Sequence, residues 1–172
     1  MLSGNYNSGA LCLLLGSIVL CIASCEREPV RRTPIPKQLL DGKPVYLGQS
    51  ISEVEQGREL SKEDWFGDYY QQIRNGPFDK VGYAVKWGVL RSVYLNTFRP
   101  KREDQVDYVV AALNAEYRGV KPEVVVDSSV NVITWEWKLD SSISAVMYAM
   151  WRSDSGEPKS YSGLFLYIGP VE

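Results

Sequence analysis

An uncharged run from Ala10 to Ser24, closed by Cys25, limits what this chain can fold into more than any other feature, because every Asp, Glu, Lys and Arg lies after it. About 15 residues, mostly Leu, Ile, Val, Ala and Cys, match the apolar region of an export signal and fall short of the ~20 that span a bilayer. The remainder is roughly 150 residues, the size of one ordinary domain. Cys12 and Cys21 belong to the run and Cys25 ends it, so that domain has no cysteine for a disulfide. It must be held by its core, for which 45% apolar and 12% aromatic residues suffice. The chain has no histidine. That removes Ser-His-Asp and Cys-His nucleophiles, histidine bases and nearly all zinc sites. A formal charge of −2 gives no reason to expect nucleic acid as a partner.

The small residues Ala23 and Ser24 stand immediately before Cys25. Apolar run, small residues and Cys together resemble the signal peptide and lipobox of bacterial lipoproteins. Residues 1–9 depart from that pattern in carrying no Lys or Arg. The resemblance implies cleavage before Cys25, a diacylglycerol on its sulfur and an acyl chain such as palmitate on its freed amine. One acyl chain holds a protein only marginally, whereas two or three anchor it durably, at about 0.8 kcal/mol per buried methylene. By further resemblance to enterobacterial lipoproteins, Glu26 implies the outer membrane, facing the periplasm. The expected organisation is a signal peptide over 1–24, lipidated Cys25 with an extended tether over 25–43, and one periplasmic domain over 44–172. The three prolines and many charges of residues 26–43 support the tether. Its Arg27, Arg31, Arg32 and Lys37 serve either solubility or contact with anionic lipid.

Within the domain, Ser50 and Glu53 form an S-x-x-E capping box that predicts a short helix from Ile51. Ser61 and Asp64 suggest a second box, after which Trp65, Phe66, Tyr69, Tyr70 and Ile73 recur at helical spacing until Asn75-Gly76-Pro77 stops them. Residues 80–98 alternate and predict a hairpin turning near Trp87–Leu90, with Val81, Tyr83, Val85 and Trp87 on one face of its first strand, and Val93, Leu95 and Thr97 on one face of the second with Tyr94 and Phe98 opposite. Residues 102–118 predict the clearest helix, with a stripe of Val106, Val109, Val110, Leu113 and Tyr117 ended by Gly119. Residues 130–139 and 142–152 predict a hairpin about Asp140-Ser141 in which Trp135 faces Val146, Ile133 faces Tyr148 and Trp137 faces Ser144. Leu164, Leu166 and Ile168 mark a last strand. The fold class expected is α+β: an antiparallel sheet of about five or six strands packed on one long helix, with short N-terminal helices over residues 51–73.

The stretch Leu47-Gly48-Gln49-Ser50-Ile51-Ser52-Glu53-Val54 resembles the opening of small envelope lipoproteins of the SmpA/OmlA type. Those begin with a helical pair and continue into an antiparallel sheet. The resemblance covers about eight residues and the order of elements. It implies a non-catalytic periplasmic module that contacts other envelope proteins.

Three residue sets are candidates for a site. Trp87, Trp135, Trp137 and Trp151 suit stacking on glycan, although tryptophans at period 2 are also what sheet packing uses. Glu136, Asp140 and Asp127 are the available carboxylates for glycoside hydrolysis, yet no spacing singles out a pair. Tyr69, Tyr70, Tyr161 and Tyr167 with Phe165 suit a protein interface, since aromatics dominate interface hot spots. The partner-binding candidates are therefore Trp65, Tyr69, Tyr70, Trp135, Trp137, Trp151 and Tyr161, with Cys25 as the lipidation site. No catalytic residue, metal or cofactor is expected. The leading expectation is a lipid-anchored binding or assembly module, non-enzymatic, whose partners are the membrane and another envelope protein. The alternative is an immunity or inhibitor lipoprotein that blocks a toxin or a lysozyme-type enzyme through Asp127–Asn131 or Ser153–Lys159. A carboxylate enzyme acting on peptidoglycan is the third.

Overall fold

A computed structural model describes residues 32–62, 67–98, 104–151 and 161–171. The predicted leader, Cys25, Trp65 and the Ser153–Lys159 loop lie outside them. The capping box is formed: the Ser50 hydroxyl accepts from the Glu53 N–H (3.3 Å) and the Glu53 carboxylate from the Ser50 N–H (3.0 Å). It starts helix α1 (Ile51–Glu55). Strands β1 (Pro34–Ile35) and β2 (Val45–Tyr46) precede it and pair with each other. After α1 come β3 (Ser61–Lys62), β4 (Tyr69–Gln72), β5 (Lys80–Lys86), β6 (Val89–Thr97), helix α2 (Gln105–Glu116), β7 (Glu123–Asp127), β8 (Val132–Lys138), β9 (Ile143–Trp151) and β10 (Tyr161–Pro170).

The fold class differs from the α+β expectation. Among the described residues the chain is mostly β, with ten strands in two antiparallel sheets and two short helices, rather than five or six strands on one long helix. Strands β3 to β10 form one eight-stranded sheet in the order β3-β4-β5-β6-β10-β9-β8-β7. Two four-stranded meanders therefore meet along β6 and β10. Helix α2 is the link between them and spans only three turns.

Three departures explain the extra strands. First, the second predicted helix is absent: β3 and β4 pair there instead. Tyr69 and Ile73 lie four residues apart, and four fits a period of 2 as well as one of 3.6. Gly67 (φ +128°) forces the strand geometry, because a Cβ there would lie 3.0 Å from the Tyr83 carbonyl oxygen. The helical pair implied by the SmpA/OmlA resemblance thus reduces to α1 alone among the described residues. Second, residues expected as tether belong to the domain. Ile35, Leu39 and Leu40 are almost fully buried, and Leu47 donates its N–H to the Thr33 carbonyl (2.9 Å). Prolines 34 and 36 suit an edge strand and a turn as well as a linker. Third, Glu123–Asp127 is a strand without alternation, because Val124, Val125 and Val126 are all apolar.

The β8–β9 register also differs by one residue. Trp135 pairs with Met147, Ile133 with Ala149 and Trp137 with Ala145. The Asp140 carboxylate accepts from the Ser142 and Ile143 N–H groups (2.7 and 2.8 Å), and Leu139 donates back to the Ile143 carbonyl (2.9 Å). That closes an odd-length loop, and a one-residue slip moves every side chain of a strand to the other face. Small Ala145 and Ala149 thereby lie opposite the large Trp137 and Ile133, a fit of bulk to space.

One core results. Val81, Tyr83, Val93, Leu95, Leu164, Leu166, Ile168, Ala145, Met147 and Trp137 line the inner face of the sheet, and Val106, Val109, Ala112 and Leu113 of α2 join them. Each large apolar side chain removed from water in this way contributes about 1.5–3 kcal/mol. Trp137 is completely buried and donates its indole N–H to Asn114 Oδ1 (2.9 Å), which fixes the helix against β8.

The N-terminal strap is tied by an ion pair between a buried guanidinium and a partly exposed carboxylate. Arg58, whose side chain is 3% exposed, donates to Asp41 Oδ1 (3.1 Å) and to the carbonyls of Lys43 (2.9 Å) and Val54 (3.2 Å). The Gln71 amide donates to Asp41 Oδ2 (3.3 Å), and the Tyr83 hydroxyl to Gln71 Oε1 (3.2 Å). Burial opposes ionisation of Asp41. The Lys43 N–H, Gln71 and Arg58 outweigh it and hold the carboxyl below its ordinary value.

Candidate interaction face

Cross-strand pairing places two rows of side chains across the other face of the large sheet, each running through seven strands. One row reads Tyr70, Gly82, Tyr94, Tyr167, Val146, Glu136 and Glu123; its neighbour reads Gln72, Lys80, Asn96, Phe165, Tyr148, Thr134 and Val125. Both helices and the β1–β2 strap contribute to the core on the opposite side. This outer face therefore carries four tyrosines and a phenylalanine with no element of secondary structure above them among the described residues.

The aromatics pack on one another. Tyr94 and Tyr167 have ring centres 5.1 Å apart at 44°, and Phe98 meets Phe165 edge-on at 5.4 Å and 78°. Lys80 Nζ sits 4.1 Å above the Tyr70 ring, a cation–π contact. The Tyr167 hydroxyl donates to the Pro170 carbonyl (2.8 Å), folding the ring back along its own strand. Gly169 permits this, since a Cβ there would collide with the Tyr167 hydroxyl and come within 2.6 Å of Ser92 Cβ. Tyr148 of the rows and Phe98, which lies just past β6 and packs on Phe165, are the most accessible of these rings, at 42% and 58%. Tyr94, Tyr148, Tyr167, Val146 and Glu136 enclose a shallow open depression of about 340 Å³. Rigid, half-exposed aromatic rings with their edges in water are the chemistry of a protein-contact surface.

The sequence candidates divide between the faces. Tyr70, Tyr167 and Phe165 lie on the open face. Tyr69, Trp135 and Tyr161 are half-buried against the core. Trp137 and Trp151 are buried, so neither is available to a partner. The Tyr161 hydroxyl is pushed above its ordinary value by burial and by the nearby Asp107 charge. The four tryptophans proposed as a glycan platform do not come together: Trp87 sits alone at the β5–β6 turn while Trp135 and Trp137 face inward. Glu136 lies on the outer face, Asp140 caps its own turn, and the Asp127 carboxylate accepts from the Ser129 N–H (2.9 Å) and hydroxyl (2.6 Å). Those Ser129 hydrogen bonds hold Asp127 below its ordinary value.

Sequence reasoning missed Tyr148 and gave Tyr94 and Phe98 no role. Tyr148 was hidden by the one-residue register error, which turned it inward. Tyr94 alternates with Val93 and Leu95, and that signal alone places it outward. The edge strand β7 is a further exposed feature, with Val124, Val125 and Val126 between 51% and 60% accessible.

No family model matches the chain, and neither a curated protein nor a solved structure is significantly similar to it. Among the described residues no group of three His, Cys, Asp or Glu side chains is arranged to hold a metal, and no helix is long and apolar enough to cross a membrane.

Proposed function

We propose that this protein is a lipid-anchored module of the bacterial cell envelope that binds another envelope protein and performs no catalysis. Cys25 carries the lipid in this reading, on the outer membrane facing the periplasm. Its mechanism is local concentration: the anchor confines the domain near one leaflet and raises the effective concentration of any partner there. The observation that carries the reading is the open aromatic face, two rows of side chains across seven strands with Phe98 and Tyr148 in water. A rigid sheet presenting pre-packed rings loses little freedom on binding, which favours a protein surface as ligand.

Photocrosslinking amino acids placed at Phe98 and Tyr148 in cells test it. Both positions should capture the same envelope protein, and Cys25→Ala should abolish labelled-fatty-acid incorporation and reduce the capture. Absence of any protein crosslink, or unchanged fatty-acid labelling in Cys25→Ala, would falsify the proposal. Capture of a toxin or a cell-wall hydrolase would replace it with the immunity or inhibitor reading.

A further inference from the structure

We infer that the turn carrying Trp87 is a second foot on the membrane, an interfacial contact that orients the anchored domain; this inference rests on the lipid-anchor reading. Trp87 is the first of the two residues that join β5 to β6, and it is 89% exposed. Its φ is +55° and that of Gly88 is +76°. This is the two-residue turn in which Asn-Gly is the ordinary pair, because asparagine tolerates left-handed backbone and a bulky side chain does not. The position thus combines backbone strain with near-complete exposure of the largest side chain, and neither helps the chain fold.

The turn is firmly held. Ile51 donates its N–H to the Gly88 carbonyl (3.0 Å), Leu90 to Gln49 (2.8 Å) and Gly48 to Leu90 (2.8 Å). The indole is therefore presented on rigid support.

What it faces follows from the path of the chain. The segment that grips the turn begins α1, and Glu53 of α1 reaches Arg32 at 3.9 Å. Arg32 is seven chain steps from Cys25, which span at most about 25 Å at full extension. An acyl anchor on Cys25 is confined to that distance of Arg32, at the end of the domain where the turn lies. An indole, apolar with one N–H donor, belongs at the headgroup level of a bilayer. Lys86 Nζ stands 4.7 Å from the indole ring centre, and Arg91 is exposed in the bulge that follows, so two cations can meet lipid phosphates. Glu53 and Glu55 of α1 offset them. The contact is therefore made by the ring more than by charge, and zwitterionic lipid suffices.

The test uses the full chain, isolated from a lipidating host after labelled-fatty-acid incorporation has been checked on the same sample. It is reconstituted into phosphatidylcholine vesicles whose acyl chains are brominated near the headgroup. Bromine should quench the tryptophan emission of the wild type, and Trp87→Asn should remove at least half of that quenching. Trp87→Asn relieves the turn strain, so a thermal melt should show it folded and no less stable. Equal quenching in both proteins, or none in lipidated wild type, overturns the membrane foot and leaves the anchor standing. Capture of a protein by a photocrosslinker at position 87 also overturns it. A sample without fatty acid overturns the anchor, and with it the argument from reach.

Discussion

The inner and outer faces of the eight-stranded sheet are made from alternate residues of the same strands, and both are rich in aromatic rings. They differ in how far those rings are taken out of water. On the inner face Trp137 donates to Asn114, Tyr83 to Gln71 and, just past the end of α2, Tyr117 to the Pro34 carbonyl (2.9 Å). Each bond satisfies a group that burial would otherwise leave stranded. On the outer face the rings lean on one another, the Tyr167 hydroxyl turns back to the Pro170 carbonyl, and Tyr148 and Phe98 stay largely in water. Aromatic content alone therefore does not separate core from outer face; the exposure left to each ring does.

The comparison breaks most visibly at Trp137. Trp137→Ala should lower stability by about 3–5 kcal/mol through the cavity and the orphaned Asn114, read as a fall in the urea midpoint. An effect under 1 kcal/mol would mean that α2 does not depend on this face. Arg58→Ala should come next, at about 1–3 kcal/mol, because it removes the hydrogen bonds that tie Asp41 and the Lys43 and Val54 carbonyls together. Acid sharpens the same point. The folded-state value of Asp41 is depressed, so its contribution is complete above the ordinary carboxylate range and is lost as pH falls through the lowered value. Asp41→Asn should flatten the stability profile on that acid side and leave the alkaline side unchanged. The smallest effect on folding belongs to the outer face. Tyr148→Ser should change stability by no more than about 0.5 kcal/mol while reducing capture of a partner by a crosslinker at Phe98. A large loss of stability there would show that the ring serves the fold and not an interface.

How much of this was legible in the sequence depended on the kind of signal. Ser50 and Glu53 specified α1 because a cap is local chemistry, complete within four residues. The stripe from Val106 to Tyr117 specified α2 because its apolar positions fit period 3.6 and not period 2. Tyr69 and Ile73 fit both periods, and their neighbours in β5 decided the outcome through Gly67. The β8–β9 register turned on one carboxylate, Asp140, whose hydrogen bonds set the loop parity. Of the candidate site, Tyr70, Tyr167 and Phe165 were found by composition, whereas Trp137 was misplaced, because a buried and an exposed tryptophan look alike until the sheet order is known. The strand order itself, with β6 beside β10, carries no local signal.

That central seam has a temporal consequence. Val93 finds Ile168, the two lying 75 positions apart, only when the final strand has emerged. Closing so long a loop before any reward is slow, which points to folding over milliseconds to seconds. Meanwhile the first meander waits with β6 unzipped, a sticky template for any passing chain. Newly made molecules thus face their greatest hazard before β10 arrives, so removing β10 should yield aggregates, not a smaller working domain.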